Sequence, residues 1–503
     1  AFAWAGPVST RRRAHTFEQY LGPTTQQMSA DLSFSNLIAT AQRGWLERQH
    51  DDGLLSLALP LDGIDPLRGL PQLAIDHTFR VLWDSAPGLC FAAAGHCQQL
   101  ELAGARRFEL AQRFADLSLS RLTDTKPDAP ALARPRVLLS FQFFDQTTER
   151  DHNTHGCPSV QAVLPRWQLS RHGRRGWLRL NGVVSNAAEA RELAEQLWLK
   201  HLDLQDREPD LGTPSPAIHL DTRDSSSWQQ RYASALERGL ELVNGGELHK
   251  LVLAVRQSID VGTSFDPLPL LTRLRHQQAG SCRFLWQRKA DDVFFGASPE
   301  RLISLRGGFL RSDALAGTAG PGDDGQQLLR SDKDRREHEL VVETITDQLR
   351  RSGLSPWRRP QPQLSRHGRL THLHTPITAA AQGKSVLALA EQLHPTPAVA
   401  GLPRREAMAW LRTLEPFERG NYAAPIGWID SAGDAELRVA IRCGHAQGRR
   451  LDLTAGAGLV RGSIAERELQ EVGLKLAVLA DQLVLGSMQQ RPQDTSSLKK
   501  TLF

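Results

Sequence analysis

Two acidic pairs are the first candidates for chemistry in this sequence. Asp334 and Glu337 stand three residues apart, and so do Glu468 and Glu471. On a helix that spacing puts both carboxylates of a pair on one face. Two such faces turned toward each other would gather hard oxygen donors of the kind Mg²⁺ prefers. That ion keeps several waters and takes only one or two protein carboxylates. The plainer alternative is two solvated faces with Arg335, Arg336 and Arg467 as salt-bridge neighbours of little energetic weight. Lys250 interrupts an apolar strand pattern, His249-Lys250-Leu251-Val252-Leu253. Desolvated, or set beside another cation, its amine could act as a general base. At a strand edge it would simply reach water. Glu300 follows the Ser298-Pro299 turn at the end of an apolar run, a rim position suited to a general acid or to an exposed turn. Ala316-Gly317-Thr318 and Ala455-Gly456-Ala457-Gly458 would let backbone approach a ligand, or would pack tightly without one. The second is not GxGxxG, so no dinucleotide site is read. His152, His155 and Cys157 lack a fourth ligand at zinc spacing and read as a loop.

These groups need elements to hold them. Trp228, Tyr232, Leu236, Leu240 and Val243 recur at helical spacing, and Asn244-Gly245-Gly246 ends the helix. Lys250–Arg256 alternates as a strand, with Lys250, Val252 and Ala254 on one face. Phe294-Phe295-Gly296 ends another apolar run. A helix from Asp334 to Leu349 carries the stripe Val341/Val342, Ile345 and Leu349. Ser463 is expected to cap a last helix with the stripe Leu469, Val472, Leu476, Leu479 and Leu483. The segments Asp124–Arg136, Asp206–Ser227 and Gly353–Arg369 read as loops from their proline, serine and charge content. The pattern predicts an α/β or α+β enzyme.

The chain has 503 residues, enough for a large buried core. Apolar residues make up 40% and charged residues 23%, which excludes collagen-like, disulfide-scaffold and wholly disordered classes. No run of apolar residues is long enough for a transmembrane helix. The formal charge of +5 is too dilute to indicate nucleic acid, and the Arg171–Arg175 and Arg358–Arg369 clusters lack interleaved aromatics. Five scattered cysteines without CxxC suit a reducing compartment. The expected location is cytoplasmic, with the plastid stroma open if a transit segment has been removed.

Taken together, ten colinear segments resemble the chorismate-utilising enzyme family. They are KLVLAVR (Lys250–Arg256), FFGASPERL (Phe294–Leu302), ALAGT (Ala314–Thr318), SDKDRREHELVVE (Ser331–Glu343) and HLHTPI (His372–Ile377). LHPTPAVAG (Leu393–Gly401), YAAPIGWID (Tyr422–Asp430), AIRCG (Ala440–Gly444), TAGAGLV (Thr454–Val460) and ELQEVGLKL (Glu468–Leu476) follow. The first half resembles the family only around PSVQAVLPRWQL (Pro158–Leu169). The organisation expected is a variable half of the same fold (1–227), a chorismate-binding catalytic half (228–487) and a polar tail (488–503).

The resemblance implies a large α/β (α+β) unit of two stacked antiparallel sheets flanked by helices, with chorismate as substrate and Mg²⁺ as cofactor. Lys250 matches the base that activates water for attack at C2, and Glu300 the acid that protonates the departing C4 hydroxyl. Glu337 and Glu471 match metal ligands, with Asp334 and Glu468 as their supporting carboxylates. Arg442 and Lys475 match residues that meet substrate carboxylates. Gly317, Thr318, His372, Ala398 and Gly456 match other pocket positions. Ala398 in HPTPA stands where aminating or pyruvate-eliminating members usually carry threonine. The resemblance therefore implies isochorismate as product, for menaquinone or phylloquinone synthesis, with siderophore and salicylate routes open. No glutaminase subunit and no nucleic acid are expected as partners. The alternatives are salicylate formation, amination, or a non-catalytic chorismate-binding scaffold. Two departures stand out: Ala319-Gly320-Pro321-Gly322 lacks a frequent arginine, and Asn421 replaces a frequent tryptophan. The residue before ALAGT, Asp313, is not expected to be catalytic.

Overall fold

The computed structural model describes residues 33–146, 158–206, 227–261, 265–322 and 325–489. In the first half the strands are β1 (Leu54–Pro60), β2 (Arg80–Asp84), β3 (Cys90–Leu102), β4 (Thr123–Asp124), β5 (Arg136–Phe141), β6 (Val160–His172) and β7 (Arg175–Val183). The second half opens with β8 (Lys250–Asp260), β9 (Cys282–Lys289), β10 (Asp292–Ser298), β11 (Arg301–Arg306) and β12 (Phe309–Ala319). It continues with β13 (Trp357–Arg358), β14 (Gln363–His367), β15 (Leu370–Ala380) and β16 (Gly401–Leu402). The last strands are β17 (Pro425–Asp430), β18 (Ala435–Val439), β19 (Cys443–Gln447) and β20 (Arg450–Val460).

These strands form one hydrogen-bonded network with two long arms that meet at β6. One arm runs β16-β8-β20-β19-β10-β9-β2-β3-β6. The other leaves the opposite edge of β6 through β5-β17-β18-β11-β12-β15. A short spur, β7-β1-β4, also starts from β6. The described pairings are antiparallel except β1 with β4. Antiparallel strands need no helical crossover, so the helices are free to cover outer faces. The β2/β9 and β5/β17 pairings join the two sequence halves within this network.

The helix patterns fold as expected. Helix Ser227–Asn244 buries Trp228, Tyr232, Leu236 and Val243 and packs on β8 and β20. Helix Asp332–Arg351 starts where the Ser331 hydroxyl accepts the Asp334 N–H at 3.2 Å. Its buried stripe is Glu337, His338, Val341, Val342, Ile345, Thr346 and Leu349, against β12 and β15. Helix Ala465–Gln489 buries Val472, Leu476, Leu479 and Leu483 against β20. It runs past residue 488, into the start of the segment read as a tail. Ser463 is not the cap: its hydroxyl accepts the Val460 N–H at 3.2 Å, and the Ile464 carbonyl starts the helix.

The Gly353–Arg369 reading also needs correction. Trp357–Arg358 and Gln363–His367 are strands on the free edge of β15. Charged residues and flanking prolines, which suggested a loop, are what an outermost strand tolerates. Asp124 ends β4 and Arg136 begins β5; between them the chain is a loop apart from one 3₁₀ turn, Ala131–Ala133. Most of Asp206–Ser227, and the His152, His155 and Cys157 cluster, lie outside the described residues. Cys90, Cys97, Cys282 and Cys443 are free thiols.

Candidate active site

The two arms face each other across a cleft with about 670 Å³ of empty volume. One wall is β8 and β20; the other is β12 and β15, closed by the ends of the two acidic helices. The register puts Val252 opposite Gly458 and Ala254 opposite Gly456, so β20 contributes no side chain at those two positions. A methyl group on Gly458 would lie 2.5 Å from Glu337 Oε1 and 3.0 Å from Lys250 Cε. One on Gly456 would meet the Leu253 carbonyl at 2.7 Å. The small-residue run thus makes room for other groups, as its sequence suggested.

Lys250 opens β8 between β16 and β20 and is 1% exposed, so the edge-lysine reading fails. Its Nζ lies 2.9 Å from Glu337 Oε1. Such a pair, taken out of water, is costly to break one-sidedly. Glu300 is also buried. Its backbone is tied to β18, because its carbonyl accepts the Val439 N–H at 3.1 Å. The Ser298 hydroxyl accepts the Glu300 N–H at 3.2 Å and donates to the Val439 carbonyl at 2.5 Å. Burial pushes the Glu300 carboxyl up to about 8, partly offset by the charges of Lys250 and Lys475. It therefore holds its proton at neutral pH.

Arg442 carries the cleft's least compensated charge. Its backbone is left-handed, φ 52°, a strain of about 1–2 kcal/mol for a residue with a side chain. One of its amino groups meets Nε2 of His372. The other, Nη1, is buried without a hydrogen-bond partner. Burial lowers the Arg442 guanidinium to about 10, so it stays charged. His372 donates from Nδ1 to the Gly317 carbonyl at 2.8 Å, which leaves Nε2 as acceptor for Arg442. Burial holds the ring well below its usual range and neutral, and Arg442 adds to this.

The acidic helices do converge. Glu471 Oε1 accepts from Lys475 Nζ at 2.7 Å and from the Thr318 hydroxyl at 3.1 Å. Lys475 also donates to the Gly456 carbonyl at 2.7 Å. Glu468 lies behind, paired with Lys333 across the two helices at 2.8 Å. Asp334 backs onto the left-handed Gly317. Burial raises the Asp334 and Glu468 carboxyls, and neighbouring carboxylates add to both. Glu471 is lowered despite burial, because Lys475 lies against it.

Lys250, Glu300, Gly317, Thr318, Glu337, His372, Ala398, Arg442, Gly456, Glu471 and Lys475 thus line one cleft. Asp334 and Glu468 do not line it but stand behind Glu337 and Glu471. Asp313 takes no part: it is held by Arg301, Arg311 and His374. Sequence reasoning missed Lys333 and Tyr422. Lys333 sits inside a charged run where nothing in the spacing separates it from its neighbours. Tyr422 lay within a family motif, and only its cleft-facing position singles it out. Asn421 is an anchor, donating to the Phe141 carbonyl at 2.7 Å.

Among the described residues, no three metal-binding side chains converge as a ready site. The donor set still suits a hard divalent ion, since Mg²⁺ needs only one or two carboxylates and takes the rest from water and ligand. Glu337, Glu468 and Glu471 are each paired with one lysine.

The Gly458 contact gives a direct test. Gly458→Ala is expected to push Glu337 away from Lys250 and lower turnover on the order of 10²-fold, with the fold intact by circular dichroism. Undiminished turnover would mean that the pair tolerates displacement.

The family model described as chorismate binding enzyme matches residues 37–484. The chain belongs to the chorismate-binding enzyme family. Among curated relatives, the salicylate biosynthesis isochorismate synthase of Pseudomonas aeruginosa is 32% identical over 454 residues, covering 87% of this chain and 92% of the relative. The isochorismate synthase MenF of Bacillus subtilis is 31% identical over 445 residues, 84% of this chain and 92% of that protein. The solved structure of MenF, the menaquinone-specific isochorismate synthase from Escherichia coli, superposes with a TM-score of 0.69 at 26% identity, over 89% of this chain and 100% of that one. The fold expected from the sequence is the fold observed.

Proposed function

We propose that this protein is an isochorismate synthase. The observation that carries the reading is the cleft itself: a buried amine, a carboxyl that keeps its proton at neutral pH and a guanidinium with one amino group unpartnered converge in one place. Relatives named as isochorismate synthases, matched over most of their length, support the same reaction.

In this reading Arg442 and Lys475 bind the carboxylates of chorismate. Lys250 acts here as its neutral amine, taking a proton from water as the water oxygen bonds to C2. The two ring double bonds shift in sequence, from C1=C2 and C5=C6 to C1=C6 and C4=C5, the C4–O bond breaks, and Glu300 gives its proton to the departing C4 hydroxyl, which leaves as water. One water enters and one departs, so the net change is an isomerisation. Glu337 and Glu471 would hold Mg²⁺, with Asp334 and Glu468 behind them. Bound there, the ion would neutralise and orient a substrate carboxylate. His372, fixed by Gly317, keeps Arg442 aimed, while Thr318 orients Glu471. Ala398 offers only a methyl group, which favours water chemistry over the aminating or pyruvate-eliminating outcomes. Salicylate formation remains the second reading.

Water comes from solvent, so no glutaminase partner is invoked. No described helix is long and apolar enough to cross a membrane. The proposed use of the product is quinone synthesis. A salicylate route is equally compatible with the names of the relatives.

The test is incubation of the purified protein with chorismate and Mg²⁺, with and without ammonium, followed by chromatography. Isochorismate in partial equilibrium with chorismate, dependent on Mg²⁺, is the expected result. Salicylate or an amino product would overturn the branch, and no turnover would overturn the enzyme. Glu471→Ala should move the Mg²⁺ titration to higher concentration; an unmoved titration would put the ion elsewhere.

A further inference from the structure

We infer that Glu415 and Arg419 are a positioning pair that sets the places of Lys250 and Ala398. This rests on the reading of the cleft as an isochorismate synthase site. The two residues follow the helix Arg404–Leu414 and are both buried, Arg419 at 2% exposure and Glu415 at 4%. They bind each other twice, from Arg419 Nε to Glu415 Oε2 at 2.8 Å and from Nη2 to Oε1 at 2.6 Å.

Their remaining contacts are to the catalytic wall. β8 is paired with β20 along its whole length, but on its other edge β16 reaches only Lys250 and Leu251. Beyond that point the outer edge needs partners, because buried backbone groups are costly when left unpaired. The Val252 N–H goes to the Ala400 carbonyl at 2.8 Å. The next two groups have no strand to meet. The Val252 carbonyl accepts from Arg419 Nη2 at 2.7 Å, and the Ala254 N–H donates to Glu415 Oε1 at 2.8 Å. An ion pair therefore takes the place of the missing strand.

The same guanidinium also holds the segment that runs beside β8 into β16. Arg419 Nη1 donates to the Val399 carbonyl at 2.7 Å, next to Ala398. It thus spans Val252, two residues from Lys250, and Val399, and both line the cleft. The rings of Phe143 and Tyr422 flank it, at 4.4 and 5.7 Å from its centre. Phe143 comes from the first half of the chain, and its N–H is held by the Gly420 carbonyl at 2.7 Å. The guanidinium makes four hydrogen bonds at once, two to the Glu415 carboxylate and one to each carbonyl; a lysine has three donors and lacks the planar spread. Neither residue touches the substrate space, so both act through β8 and the 396–400 loop.

The experiment compares wild type, R419K and E415A as Mg²⁺-loaded full-length protein. Turnover, equilibrium binding of chorismate and backbone hydrogen exchange are measured on each. R419K is expected to lose at least ~10-fold in kcat, and up to ~10²-fold, while binding one chorismate per chain with Kd within ~3-fold. E415A is expected to speed exchange at the Ala254 amide at least ~10-fold, while the Leu253 amide, on the β20 side, stays protected. Three results would overturn the positioning role: an unchanged kcat in R419K, a fall in kcat matched by an equal fall in binding stoichiometry, or an Ala254 amide that stays protected in E415A. A wild type that fails to convert chorismate would instead sink the functional reading, and the exchange result would still decide whether the pair holds the strand.

Discussion

Lys250→Ala is expected to lower conversion of chorismate on the order of 10⁴-fold, the upper end of what a positioned acid or base supplies. The amine is buried and reaches one carboxylate, Glu337. No other lysine lines the cleft except Lys475, which is engaged by Glu471 and the Gly456 carbonyl. Removal also leaves the Glu337 carboxylate buried without its cation, a loss of about 3–5 kcal/mol where nothing replaces it. Stability should therefore fall in the variant and recover in part when Mg²⁺ is added, while turnover should not recover. Unfolding with and without Mg²⁺, run beside the turnover assay, separates the two effects. Substantial activity in a folded variant would remove Lys250 from the role of base.

The second large effect concerns Glu300. Its carboxyl, raised by burial to about 8, must keep its proton to act as an acid. The kcat/KM of the wild type should fall tenfold per pH unit above about 8, whereas Glu300→Gln should be ~10²–10⁴-fold slower with that break gone. Stability follows from the same shift. Below its ordinary value the group is protonated in both folded and unfolded chains, and folding incurs no ionisation cost. As pH rises toward about 8 the unfolded chain releases the proton that the folded chain retains, so stability declines across that window. The decline amounts to a few kcal/mol as an order of magnitude, and no more than ~5. Glu300→Gln, neutral at every pH, should lack this decline and be the more stable protein in mild alkali. A wild-type profile that is flat through pH 8, or a variant that loses stability in parallel with wild type, would contradict the assignment.

The sequence made much of this cleft legible because its groups sit on periodic elements. Lys250 could be assigned to a strand face with Val252 and Ala254, and the i,i+3 carboxylates to helix faces. Those are local properties, and they survive folding. Residue types alone could not say whether Lys250 was exposed, since the answer depends on β20 and Glu337, both far along the chain. The short edge strands from Trp357 to His367 were illegible for a related reason. Their order comes from the edge of β15 rather than from any apolar alternation of their own. Ser463 shows the limit of motif reading at a helix start, where its hydroxyl chose the preceding turn. Lys333 and Arg419 were hidden because a cation in a charged segment declares its partner only in three dimensions.

The pairings of β2 with β9 and of β5 with β17 have a consequence for how the chain is made. Each joins strands roughly 200 to 300 residues apart. During synthesis β2 and β5 emerge long before their neighbours exist, and must wait with bare backbone edges. Such edges recruit other chains, and contacts of this sequence separation form late. The second half expressed by itself would be left in the complementary condition, with β9 and β17 each missing a neighbour and Arg419 without Phe143. The nascent protein therefore has a long interval of vulnerability to aggregation, which closes only when the last strands arrive.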